Sequence, residues 1–206
     1  MTTVLSPLTS APASFKGPPD VHSARLLDIH KRRIEVMDRE GKAVPHKALE
    51  LAQVANDYLS NGVKKSSSRF RALASIPMHN GISAAAELRR AIKELGCFGA
   101  ISNDFQSVGD DGQGKLYFDT EQFDPFWAEV QNLDVPVYLH PEYMVKSDLL
   151  PGTKYGERKH LLGAGVQFHL DLGWHVYAIC SSGVLDRFPG AQLLIGHIGK
   201  GYISRL

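Results

Sequence analysis

Two histidines stand directly after short apolar runs: "VPVYLH" ends on His140 and "AQLLIGH" ends on His197. Imidazole binds zinc and comparable divalent ions, and near neutral pH it also serves as an acid or a base. A lone histidine at a strand end is more often a hydrogen-bonded packing residue than a ligand. Two in the same position, one strand-and-helix unit apart, bring a shared metal or acid–base site level with that plainer reading. Asp104 and Glu142 are the acids closest to this pair, and either could stand in as a ligand. The other histidines lack such a pattern. His175, inside "LGWHVYAIC", reads as a core or supporting residue, and His160 and His169 as structural or solvent-facing. His22, His30, His46 and His79 have no partner spacing.

The elements that would position the pair follow from periodicity. "ARLLDIHKRRIEVMDRE" and "HKALELAQVANDYLSNG" carry apolar residues at mixed three- and four-residue spacing and predict two amphipathic helices; in the second, Leu49, Ala52, Val54 or Ala55, and Leu59 would face inward. "RFRALASIP" predicts a strand closed by Pro77, and "SAAAELRRAIKELG" a helix with Ser83 as its cap. "CFGAISNDF" is a second strand. "TEQFDPFWAEVQNLD" is a helix with Pro125 in its first turn, Phe126 and Trp127 belonging to the core, and it leads into the strand "VPVYLH". After a long polar connector come an apolar helix, "GVQFHLDLGWHVYAICSSG", a short turn element, "VLDRFPG", and a last strand, "AQLLIGH". Four strands, each preceded by a helix, predict an α/β protein with a parallel sheet, and both a barrel and a doubly wound sheet fit that order. The polar groups follow the apolar runs in "ISNDF", "YLHPEY" and "IGHIGK", which places them at the carboxyl edge, where parallel α/β folds build their sites.

Composition narrows the function. Of 206 residues, 43% are hydrophobic and 22% charged, which suits one soluble globular domain. The formal net charge of +1 gives no field to draw nucleic acid or an anionic membrane. The Ser-, Thr- and Pro-rich start, residues 1–23, reads as a disordered or loosely packed arm with no secretory pattern, and residues 24–206 as the folded domain. Cys97 and Cys180 sit in separate apolar runs and read as reduced, packed thiols, so a cytoplasmic location is expected. No Walker loop, G-x-G-x-x-G fingerprint or G-x-S-x-G elbow is present. "GDDGQG" lacks the later acid of a calcium loop and reads as a turn.

Four stretches, "RFRALASIPMHN", "AAAELRRAIKELGCFGAISNDFQSVG", "FDPFWAEVQNLDVPVYLHPEY" and "GVLDRFPGAQLLIGHIGKG", together resemble the amidohydrolase-related decarboxylases, the branch that includes aminocarboxymuconate-semialdehyde decarboxylase. "NDFQSVG" and "DRFP" are most similar to the fungal decarboxylases of 2,3-dihydroxybenzoate, salicylate, 6-methylsalicylate and orsellinate. The resemblance implies a (β/α)8 barrel of the metal-dependent hydrolase superfamily with one divalent metal, Zn or Mn. It also implies nonoxidative decarboxylation of an ortho-hydroxybenzoate-type acid in phenolic or polyketide secondary metabolism. Carried over by motif, His140 is a metal ligand, His197 the catalytic neighbour of the metal, and Asn103, Phe105 and Tyr143 line the substrate pocket. An aspartate on the eighth strand would protonate the ring carbon that loses CO2.

The departures are as specific as the match. The acid-x-His pair of the first strand has no counterpart, Lys200 stands where a glutamate is expected, and neither the family's second strand nor strands 7 and 8 are found, so an incomplete barrel is expected. Two further readings stand beside the decarboxylase: an inactive relative that binds a ligand or pairs with a copy of itself or a paralogue, and a metal-dependent hydrolase on the same scaffold.

Overall fold

The computed structural model describes residues 45–65, 69–109 and 111–197. The arm expected over residues 1–23, its boundary at residue 24 and the first expected helix lie outside them. Helix α1 (Pro45–Lys64) leads to strand β1 (Leu73–Ser75), helix α2 (Gly81–Lys93) and strand β2 (Gly99–Asn103). A small antiparallel hairpin follows, β3 (Gln106–Val108) and β4 (Gly114–Leu116), with Gly109, Asp111, Gly112 and Gln113 between its strands. Next come helix α3 (Asp124–Leu133) and strand β5 (Pro136–His140), a connector of short 3-10 turns, helix α4 (Gln167–Ser181), the one-turn helix α5 (Val184–Arg187) and strand β6 (Gln192–Ile195).

The main sheet is parallel throughout, in the order β1-β2-β5-β6. A doubly wound sheet reverses its strand order at a switch point, whereas a barrel wall adds each new strand on the same side. No reversal occurs among the described strands, so their order is that of a barrel wall. The two faces of the sheet differ accordingly. Ala74, Ala100, Val137 and Leu139 join one buried core with Leu88 and Ala91 of α2, Phe126, Trp127 and Val130 of α3, and Leu172, Val176 and Ile179 of α4. The opposite face carries the in-register row Ser75, Ile101, Tyr138, Leu194, of which Ser75 and Leu194 are exposed. Side chains alternate across a strand, so Asn103 and His140, two residues further on and paired with each other, share this open face.

Local expectations were met unevenly. Phe126 and Trp127 are core residues at 0% exposure, and Pro125 lies in the first turn of α3. The cap of α2 is Asn80, not Ser83: Asn80 Oδ1 accepts from the backbone N–H groups of Ile82 and Ser83 at 2.9 and 3.0 Å. Helix α1 buries Ala52 as its apolar spacing indicates, but the rest of its inward face differs from the expected one. Ala52, Asn56 and Ser60 are buried, whereas Val54 and Leu59 are exposed. The cause is polar: Asn56 donates to Ser75 O at 3.0 Å and accepts from Ser75 N at 2.8 Å, and Ser60 Oγ donates to Leu95 O at 2.7 Å. Side-chain hydrogen bonds to the ends of the sheet and of α2 fix the helix rotation against its hydrophobic period. Cys97 is buried as expected, but Cys180 is exposed, because it falls on the outer face of α4. No helix among the described residues is long and apolar enough to cross a membrane.

Candidate active site

His140 ends β5, and His197 follows β6 after a single glycine. A Cβ at Gly196 would lie 2.7 Å from Tyr138 Oη and 3.1 Å from Leu139 O, so only glycine lets the chain pass this close to β5. Gly196 N donates to Leu139 O at 3.0 Å and extends the ladder by one bond. His197 then takes φ +58°, the left-handed region that few non-glycine residues occupy. The tight passage and the turn after it set the His140 and His197 rings edge to face with centroids 5.5 Å apart.

Helix α4 supplies a second wall. Phe168, 7% exposed, places its ring 5.6 Å from that of His197 and 5.1 Å from that of Tyr143. His169, which has no motif or spacing to recommend it, lies 6.2 Å from His197 by ring centroid. Three imidazoles thus gather at the edge where the sequence singled out two. Tyr143 is exposed, and Asn103, the cross-strand neighbour of His140, is exposed as well. Phe105 is 4% exposed, with its ring 6.1 Å from that of Tyr117 and 5.0 Å beneath Lys115 Nζ.

The two acids are already engaged. Asn103 Nδ2 donates to Glu142 Oε2, and Tyr143 N donates to Glu142 Oε1 at 2.8 Å. Asp104, fully buried, pairs through Oδ1 with His175 Nδ1 at 3.1 Å. Phe118 N donates to His175 Nε2 at 3.1 Å, so Nε2 is the acceptor and Nδ1 carries the proton given to Asp104. His175 is therefore the supporting core residue its position in the sequence implies. Asp104 Oδ2 and both ring nitrogens of His79 are buried without a hydrogen-bond partner in the described structure. Burial holds the His79 pKa below the usual imidazole value and favours the neutral ring.

The connector after β5 is tied to α4 around one buried side chain. Gln167 Nε2 donates to Glu142 O at 3.0 Å and to Asp171 Oδ2 at 2.8 Å, while its Oε1 accepts from Gly163 N at 3.3 Å. Asp171 also receives Lys154 Nζ and Tyr155 Oη, both at 2.7 Å. Burial is the main cause that pushes the Tyr155 hydroxyl up to about 12, and the Asp171 carboxylate adds to it. Arg187 of "DRFP" makes structural contacts. It holds the end of α4 through Ser182 O at 3.1 Å and α3 through Asp124 at 2.9 and 3.1 Å.

Imidazole is a suitable donor for a divalent ion, but a catalytic site normally needs three protein ligands. Among the described residues no three His, Cys, Asp or Glu side chains converge on one point. The described residues therefore do not complete a metal centre by themselves.

Comparison with known proteins decides the family. Residues 33–205 match the model of the family described as Amidohydrolase. The chain belongs to the amidohydrolase family. Within it, several similar proteins are decarboxylases. Gamma-resorcylate decarboxylase of Rhodococcus jostii is 36% identical over 91% of this chain and 61% of its own length. A solved 2,6-dihydroxybenzoate decarboxylase in complex with 2,6-dihydroxybenzoate is 36% identical, with a TM-score of 0.71 over 87% of this chain and 59% of that one. A dihydroxybenzoic acid decarboxylase from Polaromonas sp. JS666, solved with bound manganese and the inhibitor 2-nitroresorcinol, is 38% identical with the same TM-score over 87% and 57% of the two chains. This amidohydrolase-family chain spans about three fifths of the length of the relatives it matches. Its parallel sheet is the barrel-type architecture of those neighbours.

Proposed function

We propose that the protein is a metal-dependent, nonoxidative decarboxylase of an ortho-hydroxybenzoate-type aromatic acid, and that its four-stranded sheet is the third to sixth strands of an eight-stranded barrel. The observation that carries this reading is the His140–His197 pair. Two imidazoles 5.5 Å apart stand on the carboxyl edge of a barrel wall, beside Asn103, in a chain 36% and 38% identical to two solved dihydroxybenzoate decarboxylases. His140 is the metal ligand, and the ion is Zn or Mn. In this reading its other ligands come from beyond the described residues.

The chain's own residues have separate tasks. Tyr143 and Phe168 offer aromatic surface on which a ring can rest, and Asn103 offers a polar contact beside it. Held by its left-handed turn, His197 is set to answer the charge that moves as the carboxylate departs. In the reaction the bond between ring carbon and carboxylate carbon breaks, its electron pair stays with the ring carbon, that carbon takes up a proton, and CO2 leaves. A phenolic or polyketide pathway is the setting this chemistry fits, and a cytoplasmic location agrees with two free thiols.

The test combines metal content with turnover. Purified protein and the His140→Ala variant are compared by mass spectrometry for Zn and Mn, and by CO2 release from 2,6-dihydroxybenzoate. Close to one ion per chain, lost with activity in the variant, supports the reading. A metal-free chain that releases no CO2 refutes it and favours the inactive, ligand-binding relative.

A further inference from the structure

Helix α4 is apolar on its outer side as well as on its inner one. A surface helix normally turns charged residues to water, as α2 does with Arg89 and Lys93. The exposed positions of α4 are Leu170, Trp174, Tyr177, Cys180 and Ser181, and none carries a charge. Leu170, Trp174 and Tyr177 are 41%, 57% and 53% exposed and follow one another at helical spacing, so they form one stripe. With about 150–250 Å² on each large aromatic side chain, the three leave roughly 300 Å² of apolar surface uncovered. A standard protein interface buries about 800 Å² on each partner around a dry apolar core, and the stripe is large enough to be that core. The Trp174 ring already rests edge to face against Tyr117 at 4.8 Å, so it is ordered before a partner arrives.

The stripe is complementary to itself. A Cβ at Gly173 would meet nothing within 4 Å, so a socket opens beside the Trp174 knob. In an antiparallel pair with its two-fold axis between residues 173 and 174, each Trp174 lies over the other copy's Gly173. Leu170 stands as far before that axis as Tyr177 stands behind it, so the two meet across the contact. A two-fold interface needs this kind of self-complementary patch. We infer that the outer face of α4 is the surface on which two copies of this chain dimerise, with Trp174 of each seated on Gly173 of the other.

The experiment is sedimentation equilibrium of the full chain over a dilution series, read together with iodide quenching of tryptophan fluorescence. The sequence holds two tryptophans and Trp127 is 0% exposed, so quenching reports Trp174. The expected result is a mass of twice 22.7 kDa with Trp174 shielded from iodide. Gly173→Leu fills the socket where the single chain has room for it, and Tyr177→Lys puts a charge into the stripe. Each change acts twice in a two-fold contact, so each should raise the dissociation constant at least about 100-fold and open Trp174 to iodide. Leu51→Lys, on the exposed side of α1, should leave the constant within about threefold. A chain that is monomeric at every concentration overturns the inference. So does a dimer in which Trp174 stays open to iodide, one whose constant is unmoved in either α4 variant, or one that Leu51→Lys weakens as strongly. CO2 release is scored separately: a dimer that leaves 2,6-dihydroxybenzoate intact keeps this contact and counts against the decarboxylase reading, and an active monomer does the reverse.

Discussion

Replacing Arg90 by alanine should cost more stability than any surface charge in the molecule. Glu87 lies inside α2 with its side chain 0% exposed, and Arg90 one turn later is 23% exposed. Arg90 Nε and Nη2 donate to the two Glu87 oxygens at 2.8 and 2.9 Å, and Asn56 Nδ2 of α1 gives the carboxylate its third bond at 2.8 Å. Arg90 Nη1 reaches on to Asp57 at 2.8 Å. The Glu87 hydrogen bonds are the first cause that raises the Arg90 pKa, so the guanidinium stays charged. The alanine variant strips the carboxylate of two of its three partners. Removing one partner of a buried ion pair costs about 3–5 kcal/mol, and since water reaches part of Arg90, the lower end, about 3 kcal/mol, is expected. The exposed Arg187–Asp124 pair sets the contrast: solvent screens it, and Arg187→Ala should cost far less than Arg90→Ala. Urea unfolding followed by circular dichroism measures both. Glu87→Leu combined with Arg90→Met removes the stranded charge, and should recover all but about 1 kcal/mol of the loss. A loss below about 1 kcal/mol in Arg90→Ala, or a double variant no better than the single one, would refute the view that a stranded charge sets the cost.

Three further outcomes are expected. Asn80→Ala removes the cap of α2 and should lower unfolding free energy by about 1 kcal/mol, whereas Ser83→Ala at the position expected from sequence should be close to neutral in the same urea assay. His175→Ala leaves Phe118 N and a buried Asp104 oxygen unpaired and opens a cavity, so a loss of about 3 kcal/mol or more is expected; a loss under about 1 kcal/mol would mean that water replaces the ring at no penalty. His79 titrates lower in the folded chain than its unfolded value, so the unfolded state binds more protons as pH falls. Stability contributed by its neutral ring is therefore present at pH 7 and is lost as pH falls through the unfolded imidazole value of about 6.5. Comparing urea midpoints of wild type and His79→Gln from pH 7.5 to 5.5 checks this, and parallel pH profiles would contradict it.

The four parallel strands were legible because each is a compact apolar run closed by proline, asparagine or histidine, and the same closure placed Asn103, His140 and His197 on one edge. The rotation of α1 was not legible. Periodicity assumes that the buried stripe is apolar, and here Asn56 and Ser60 are drawn inward by backbone groups that lie 19 and 35 residues away in sequence. The cap of α2 was misplaced by three residues because Asn80 and Ser83 are both good caps, and the sequence does not show which one stands at the helix entrance. His169 left no signal at all. It meets His197 only because the first turn of α4 is laid across the end of β6, a relation between elements that no local pattern encodes. Phe105, assigned to the pocket by resemblance, also packs its ring beside Tyr117 and beneath Lys115, contacts supplied by the β3–β4 hairpin and the residue after it. That hairpin was too short and too polar to be foreseen.

The pairing of Asn103 with His140 has a consequence for how this region can change in length. Both residues are presented by strand parity, and parity is disturbed only by odd-numbered insertions or deletions inside a strand. Loss of one residue within β5 would turn His140 toward the helices and bring its apolar neighbour Leu139 to the ligand side, undoing the site while leaving the sequence motif intact on paper. Loss of several residues from the connector between β5 and α4 would leave that parity untouched. Length variation should therefore be found in the connector and be rare within the strand, and a screen of single-codon deletions across residues 130–165 would show it as a sharp change in tolerance at the end of β5.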